Sequence, residues 1–480
     1  MPLGSADFAI VAVYLAAMIA AGWYFSGRTR HFKDYFLAGG ALTTPLLVCT
    51  LVSTYYELDV TFATSERAYY NGMAAWFWLS RPYYVAILLA AVLVAKRLRG
   101  HGYYTLPDVV GARYGDGARV TVATACFVYS LPITALAGMG ALFETLGLPR
   151  DIGLFLGASV CAVYTLMGGL WADVITDTVQ FVLMCLAVAI LIPYALEWSG
   201  GFGFTDHLPG AHLTASGGLS PWLIAAWSAG ALTVFVEPAF YQRIFAARSE
   251  KDVTRALIIG IFLWAAYDWG VTLVGMIARS AVEQGMLAEG LPGRTALLTL
   301  AMTLLPVGLK GLFIGGVLAA AMSSVDSYSL LASGNLVYDI WRPLVRPQMT
   351  DQQLVRATRI GVFAVTLGGL ALSFAFDRIS DAWIFMSSVL ASVAFVPVLG
   401  AVFLKPARQA GLASSLAGLL SLAGFYICIY GFGTYNADEE SWAWQVGGAE
   451  IWREYGVLVA LPISAAAFAV ANMLSREPRS

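Results

Sequence analysis

Long apolar stretches, separated by short polar or Gly/Pro-rich breaks, recur along almost the whole chain. A helix needs about 20 apolar residues to cross the hydrocarbon core of a bilayer. Thirteen segments come near this length, at residues 6–26, 44–70, 73–95, 118–146, 152–170, 174–197, 219–243, 254–280, 311–341, 356–376, 382–404, 409–433 and 453–474. Only 12% of the 480 residues are charged, about half the share in a soluble domain. The chain is therefore predicted to be an all-α integral membrane protein with about thirteen transmembrane helices.

Positive charge is unevenly divided between the two sides that these spans define. If the N-terminus lies outside, twenty of the 28 Lys and Arg residues fall on the inner side and six on the outer side. The positive-inside rule then predicts an N-out, C-in multi-pass protein of the cell membrane. The first apolar stretch lacks the basic start and small-residue cleavage site of a signal peptide, so it is predicted to be a span. A shorter apolar stretch, 296–307, is expected at the membrane interface.

The second predicted span carries charges that a lipid-facing helix does not tolerate. Glu57, Asp59, Glu66 and Arg67 all lie within residues 51–72, and a charge at the bilayer centre costs about 2.5–3.5 kcal/mol. Glu66 and Arg67 can lie at the outer headgroups, whereas Glu57 and Asp59 lie deeper and are expected to face a cavity. Transporters use broken helices at this depth, where freed carbonyls coordinate cations. We therefore predict that the second span is discontinuous.

Four stretches of the sequence carry a resemblance to a known family. They are VLVAKRLRGHGYYTLPDVVGARYG (92–115), YTLMGGLWADVITDTVQFVLM (164–184), PAFYQRIFAARSEKDVTRA (238–256) and LAAAMSSVDSYSLLASGNLVYDIW (318–341). In this order they resemble the solute:sodium symporters, which share the five-plus-five inverted-repeat fold of the leucine transporter. The resemblance covers roughly residues 5–475. It implies one transporter domain over 1–480, with a first span at about 6–26, repeats at about 44–197 and 219–404, and two extra spans at about 409–474.

The resemblance also implies a sodium site between the second and ninth spans. Its ligands would be the backbone carbonyls of Ser53, Tyr56 and Ala320 together with the hydroxyls of Ser323 and Ser324. Oxygen ligands of this kind suit a hard cation. Packing of small residues between helices is the alternative explanation for the serines.

Some relatives have a second sodium site where a sixth-span aspartate meets serines of the ninth span. Asp177 matches that aspartate, and Ser323 and Ser327 match two of the hydroxyls. Asp326 stands where those relatives have a hydroxyl. This second carboxylate would either strengthen a cation site or take a proton itself.

The polar pattern of the sugar-carrying relatives is largely absent. Val60 and Leu79 stand at two of its positions, and no Lys lies between Lys251 and Lys310, although Asp59 keeps the acidic position. A sugar substrate is therefore disfavoured.

Acidic residues at membrane depth remain that the family pattern does not explain, and aromatic residues lie near them in sequence. Carboxylates beside aromatic faces suit an ammonium group. The predicted substrate-binding residues are Glu57, Asp59, Val60, Glu237, Trp264 and Asp268. The predicted solute is cationic or zwitterionic and nitrogenous, such as an amine, a betaine-like compound or an amino acid. Alternatively, these acids pair with Arg67, Arg81 or one another.

Together these features predict a sodium-coupled secondary symporter whose partners are a small solute, the sodium ion and the lipid bilayer. A proton-coupled symporter of the same fold, using Asp326 or Glu57, is the alternative. A symporter-like sensor is also considered, but it would need a long cytoplasmic extension, and the last predicted span ends shortly before Ser480. No nucleic-acid partner is expected because there is no basic tract, and no obligate protein partner is evident. Enzymatic catalysis is not expected, because all four histidines lie in loops and no nucleophile–base spacing stands out.

Overall fold

The computed structural model describes residues 3–25, 31–55, 58–98, 101–375, 379–436 and 441–475. Tyr56, Glu57 and the side chain of Asp59, all predicted site residues, lie outside this description. The α-helices are α1 (Ser5–Phe25), α2 (Phe32–Leu37), α3 (Thr44–Tyr55), α4 (Leu58–Asn71), α5 (Arg81–Leu89), α6 (Lys96–Leu98), α7 (Leu106–Tyr114), α8 (Asp116–Tyr129), α9 (Ile133–Thr145), α10 (Arg150–Trp198), α11 (Pro221–Gly230), α12 (Pro238–Ala246), α13 (Glu250–Glu283), α14 (Gly293–Leu304), α15 (Leu309–Gly334), α16 (Arg342–Val345), α17 (Asp351–Ser373), α18 (Ile379–Phe403), α19 (Arg408–Phe432) and α20 (Gly456–Leu474).

Shorter helical segments and a small sheet complete the described chain. π-Helical turns occupy Ala75–Ser80, Ala90–Ala95 and Asn335–Trp341, and 3₁₀ turns occupy Ala38–Gly40, Gly201–His207, Gly210–Leu213, Ala231–Phe235 and Arg453–Tyr455. The antiparallel strands β1 (Thr434–Asn436), β2 (Ser441–Val446) and β3 (Ala449–Trp452) lie in the order β1-β2-β3 between α19 and α20. This sheet is in the loop that is predicted to be extracellular.

Helical segments occupy each of the thirteen predicted spans. Within the described residues, ten helices are long and apolar enough to cross a membrane, and the bent pair α3–α4 makes an eleventh. α1 contributes a shorter apolar helix, Ser5–Ala21. α10 contains the fifth and sixth predicted spans, which meet at Gly169, where φ is 58° and ψ is −159°. The helical membrane fold is confirmed, whereas the exact number of spans and their orientation stay predictions.

The second, fourth and seventh predicted spans are interrupted in the described structure, the fourth by a short turn between α8 and α9. α3 ends at Tyr55 and α4 begins at Leu58, and the two helical axes are bent by 52°. The seventh predicted span, 219–243, was expected to be one helix, but a 3₁₀ turn and extended residues separate α11 from α12. Glu237 is extended there (φ −72°, ψ 119°) because the ring of Pro238 disfavours a helical residue before it. Paired breaks of this kind lie at the substrate and ion sites of inverted-repeat transporters.

α15 lies at the centre of the bundle. In the most apolar 18 residues of the span Leu309–Val345, which includes α15, 83% of the residues are buried, against 22% in those of the span Arg453–Leu474. α10 packs along α15, and α13 packs on α3 and α4. Gly316 permits close approach of α15 to α10, because a Cβ at this position would lie 2.8 Å from the carbonyl oxygen of Leu183. The apolar length of α15 is therefore in the protein core, where polar side chains need protein partners.

Candidate functional site

The paired serines of α15 lie against the end of α3. The Ser323 hydroxyl donates to the carbonyl oxygens of Ser53 at 3.3 Å and Ala320 at 3.0 Å, and the Ser324 hydroxyl donates to the same Ala320 carbonyl at 3.0 Å. All four residues are buried. Four of the five predicted sodium ligands are therefore linked by hydrogen bonds, and the fifth, Tyr56, lies outside the described residues. The Ser323–Ser53 bond joins the two helices, whereas the bonds to Ala320 lie within α15. We call these two carbonyls and two hydroxyls the oxygen cage, because neutral oxygen groups are ligands that a hard cation accepts.

A second polar cluster lies beside this cage, and Arg243 is at its centre. The guanidinium Nη2 lies 3.0 Å from Asp173 Oδ2, 2.6 Å from the Ser327 hydroxyl and 3.0 Å from the Thr54 hydroxyl. Its distance to Asp177 Oδ2 is 3.9 Å. The Arg243 side chain is only 1% exposed, so this ion pair lies in the protein interior. Arg243 is one of the twenty basic residues that the sequence places on the inner side, in a loop after the seventh span; that placement is wrong, because Arg243 lies buried in α12.

Asp177 connects this cluster to the oxygen cage. It accepts hydrogen bonds from Thr50 Oγ1 at 2.6 Å and from Ser53 Oγ at 3.2 Å. Ser53 therefore contributes its carbonyl to one group and its hydroxyl to the other. Ser53 would therefore contact both a cation in the cage and the Asp177 carboxylate.

The structure divides the predicted second cation site between two neighbourhoods. Asp177 and Ser327 lie beside Arg243, whereas Asp326 accepts a hydrogen bond from Thr165 Oγ1 at 2.8 Å. Asp173, which sequence reasoning did not select, is the main ionic partner of Arg243. The signal available in sequence was its spacing, because Asp173 and Asp177 are four residues apart on one face of an apolar helix.

A cavity of about 80 Å³ lies between the broken spans. Five tyrosines, two tryptophans and two carboxylates line it, and no Lys or Arg does among the described residues. The lining residues include Val60, Leu79, Glu237, Trp264 and Asp268. Four of the six predicted substrate residues thus surround one cavity, and the other two, Glu57 and Asp59, are those whose side chains are not described.

Glu237 is held by four hydrogen bonds. It caps α12 by accepting from the backbone nitrogens of Ala239 and Phe240, at 3.1 and 2.5 Å. It also accepts from the hydroxyls of Tyr55 at 3.0 Å and Tyr328 at 3.2 Å. The carboxylate therefore fixes the break in the seventh span and joins it to α3 and α15.

Asp268 has a smaller set of partners. It accepts a hydrogen bond from the hydroxyl of Tyr84, and the Ser80 hydroxyl also interacts with it. Trp264 lies one turn away on α13, with its ring centroid 5.5 Å from that of Tyr55. In the described contacts, neither Glu237 nor Asp268 pairs with Arg67 or Arg81. Arg67 lies over Trp227, and Arg81 lies over Phe77 and Trp78.

The cavity opens toward the side that is predicted to be extracellular. Ala63, Leu79, Thr233 and Trp383 line both this cavity and a neighbouring one of about 50 Å³. The neighbouring cavity in turn shares lining residues with an outer one beneath the β-sheet. A polar cavity near Lys33 and Tyr104, on the predicted inner side, shares no lining residue with the central cavity. In the predicted orientation, the three adjoining cavities lie on the outer side of the described structure.

The broken spans and the helical bundle define the class of an inverted-repeat secondary transporter. The solved structure of a Na⁺-coupled sialic acid symporter, in a substrate-bound outward-open state, superposes with a TM-score of 0.83 and covers 98% of both chains at 17% identity. That similarity shows the leucine-transporter-like fold.

Sequence comparison identifies the family. The model of the sodium:solute symporter family matches residues 35–418, so the chain belongs to that family. It is 25% identical to the sodium/proline symporter of Escherichia coli, over 88% of this chain and 89% of that protein. It is 25% identical to the osmoregulated proline transporter OpuE of Bacillus subtilis, over 77% and 79% of the two chains. With the human high affinity choline transporter 1 the identity is 24%, over 88% and 76%.

Family membership confirms several predictions. The protein is a multi-pass membrane transporter of the cell membrane rather than an enzyme, and sodium is its coupling ion. The proton-coupled alternative is not favoured. The small-molecule solute and the sodium ion are its partners.

Proposed function

We propose that this protein uses the sodium gradient to import a small nitrogenous solute whose ammonium group binds in the central cavity. The observation that carries the proposal is the cavity itself, in which aromatic rings surround two carboxylates and the described lining has no basic side chain. Such a lining attracts a cation by charge and by its aromatic faces. The relatives named for proline and choline carry solutes of this chemistry.

Within the cavity, Asp268 is the proposed ammonium partner. Glu237 already accepts four hydrogen bonds and maintains the break before α12, so its role is to shape the site. Trp264 supplies an aromatic face beside Asp268, while Val60 is one of the apolar contacts. Glu57 and Asp59 stay proposed members of the site.

Sodium is proposed to bind in the oxygen cage of Ser53, Tyr56, Ala320, Ser323 and Ser324. The hydrogen bonds that link the four described ligands support this assignment. Asp177 and Ser327 remain candidates for a second cation. Asp326 is a less direct candidate, because it lies against Thr165. The membrane potential contributes about 2.3 kcal/mol per charge at 100 mV, so one or two sodium ions suffice for strong accumulation.

The sodium assignment is tested by thermal unfolding of the purified protein in sodium chloride and in potassium chloride at equal ionic strength. A ligand that binds the folded state raises the melting temperature, so sodium is expected to stabilise the wild type. Ser323→Ala should lose this effect. The matched control is Ser329→Ala on the same helix, because the Ser329 hydroxyl contacts Thr366 rather than α3. Equal sodium dependence in both variants would reject the site.

The solute assignment is tested by sodium-dependent uptake and melting shifts with amines, betaines and amino acids. Asp268→Asn keeps the hydrogen-bond acceptor but removes the charge, and it is expected to weaken binding by 10-fold or more, as for a desolvated ion pair. Asp116→Asn, at an exposed helix start outside the cavity, should bind as the wild type does. If Asp268→Asn binds every active solute normally, the ammonium group does not lie at Asp268.

A further inference from the structure

One face of α4 lines the whole route from the outer surface to the central cavity. Val60, Ala63 and Thr64 line the central cavity, Ala63 and Arg67 line the middle one, and Arg67 and Asn71 line the outer one. The spacing i, i+3, i+4 and i+7 is that of a single helical face. With a rise of 1.5 Å per residue, Arg67 lies about 10 Å outward of Val60 along the helix. A solute therefore passes Arg67 before it reaches Asp268.

The guanidinium of Arg67 is held by an aromatic contact. Its Cζ lies 5.2 Å from the ring centroid of Trp227, which lines the same two cavities. Across the described part of the chain, Arg67 makes no ion pair. Stacking on an aromatic face leaves the N–H groups at the edge of an arginine available to an acceptor.

The described acids that line the middle and outer cavities with Arg67 have other hydrogen-bond partners. Glu454 accepts from the Ser441 hydroxyl at 2.8 and 3.1 Å and is paired with Arg453 at 3.4 Å. Glu450 accepts from the Gln445 amide at 2.7 Å. The route therefore has a basic group in its outer part and an acidic group, Asp268, at its inner end.

We propose that Arg67 forms an outer binding site for a carboxylate and thereby selects zwitterionic nitrogenous solutes over simple organic cations. A guanidinium binds a carboxylate through two parallel hydrogen bonds and repels a cation. An amine without a carboxylate is attracted by Asp268 but meets only repulsion at Arg67. This inference rests on the proposed function and narrows its solute class.

The proposed selection for zwitterions is tested with pairs of similar solutes, one with a carboxylate and one without. Glycine betaine is compared with choline, and L-proline with pyrrolidine, through sodium-dependent melting shifts and competition for binding. The wild type is expected to prefer the carboxylated member of a pair by about 10-fold or more, the scale of one charge-assisted contact. Arg67→Gln should reduce this preference by weakening the zwitterion and strengthening the amine. Arg81→Gln is the control, because Arg81 lies over Phe77 and Trp78 and lines none of the three cavities.

The outcomes separate this inference from the proposed function. Arg67→Lys keeps the positive charge and should retain part of the preference, and melting of each solute-free variant shows whether it is folded. If the wild type binds choline or pyrrolidine as tightly as its partner, or Arg67→Gln weakens both members equally, the outer carboxylate site is wrong. If Asp268→Asn still weakens binding in that case, the proposed function stands. If no solute of either pair shifts the melting temperature, both proposals fail for this solute class.

Discussion

Replacing Arg243 by Met is expected to destabilise the folded protein strongly. The guanidinium donates hydrogen bonds to Asp173, Ser327, Thr54, Thr50 and Gln242, with distances from 2.6 to 3.3 Å. Methionine fills most of the volume but leaves the Asp173 carboxylate buried without its counter-charge. Breaking a buried ion pair by removing one partner costs about 3–5 kcal/mol. The hydroxyls can still hydrogen bond to Asp173 or to one another, so we expect the cost to stay within this range.

The control is Arg248→Met. Arg248 also pairs with an aspartate, Asp252, at 3.3 Å, but its side chain is 64% exposed. Solvent screens such a pair, so Arg248→Met should leave the stability close to that of the wild type. The two variants therefore differ chiefly in the burial of the ion pair.

Unfolding in mixtures of a mild detergent and sodium dodecyl sulfate gives the free energy for each variant. Adding Asp173→Asn to Arg243→Met should recover part of the loss, because the stranded charge is removed. Interacting residues show coupling energies of about 0.5–3 kcal/mol. An Arg243→Met cost no larger than that of Arg248→Met, or costs that simply add in the double variant, would refute the assigned role of the buried pair.

Three further predictions concern the backbone break, the outer loop and the cap of α12. Gly169→Ala puts a side chain on a backbone conformation that essentially only Gly adopts, at a cost of about 1–3 kcal/mol, and its Cβ would lie 2.6 Å from atoms of Tyr35. Its melting temperature should therefore fall. The control, Gly424→Ala, has open space around the new Cβ and should melt no lower than the wild type. Burial lowers the pKa of His212, whose Nε2 lies 3.0 Å from the Tyr69 carbonyl. The unfolded chain then binds the proton more readily, so stability should fall as the pH drops below about 6.5. In His212→Gln the melting temperature should depend less on pH in this range, and an unchanged pH dependence would contradict the role given to His212. Glu237→Gln replaces one acceptor oxygen by an NH₂ group, although all four partners of Glu237 are donors. The variant should therefore lose about 1–3 kcal/mol of stability, and its melting temperature should fall in potassium as well as in sodium. A lower melting temperature seen only with solute present would instead favour direct contact between Glu237 and the solute.

Much of the site chemistry was visible in the sequence because it depends on local pattern. The serines of α15 and the charges of the second span stand out against apolar surroundings, and Glu237, Trp264 and Asp268 all line the central cavity as expected. The break in the seventh span was missed, although the Glu237–Pro238 pair signalled it. The sequence also did not determine which acid shapes the site and which binds the solute. Only the contacts distinguish Glu237, which accepts four hydrogen bonds, from Asp268, which has fewer partners.

The buried ionic cluster was the part that the sequence did not reveal. Arg243 lies in the short helix α12, just before a basic inner loop, so charge counting placed it on the inner side. Its partner Asp173 is 70 residues away, and Asp326 lies against Thr165 rather than joining Asp177. Which carboxylate meets which cation depends on how α10, α12 and α15 are rotated and packed, and the sequence pattern of a single helix does not specify this.

The sequence by itself determined the helical membrane class, the family, the discontinuous second span and the residue types available to a cation and an ammonium group. These properties follow from hydropathy over about 20 residues and from local motifs, which act within one helix. The tertiary structure decided the pairing of Arg243 with Asp173, the convergence of Ser53 with Ser323, and the order of Arg67 and Asp268 along the route. These depend on contacts between helices that are distant in sequence, and they form only when the burial of all helices is satisfied together.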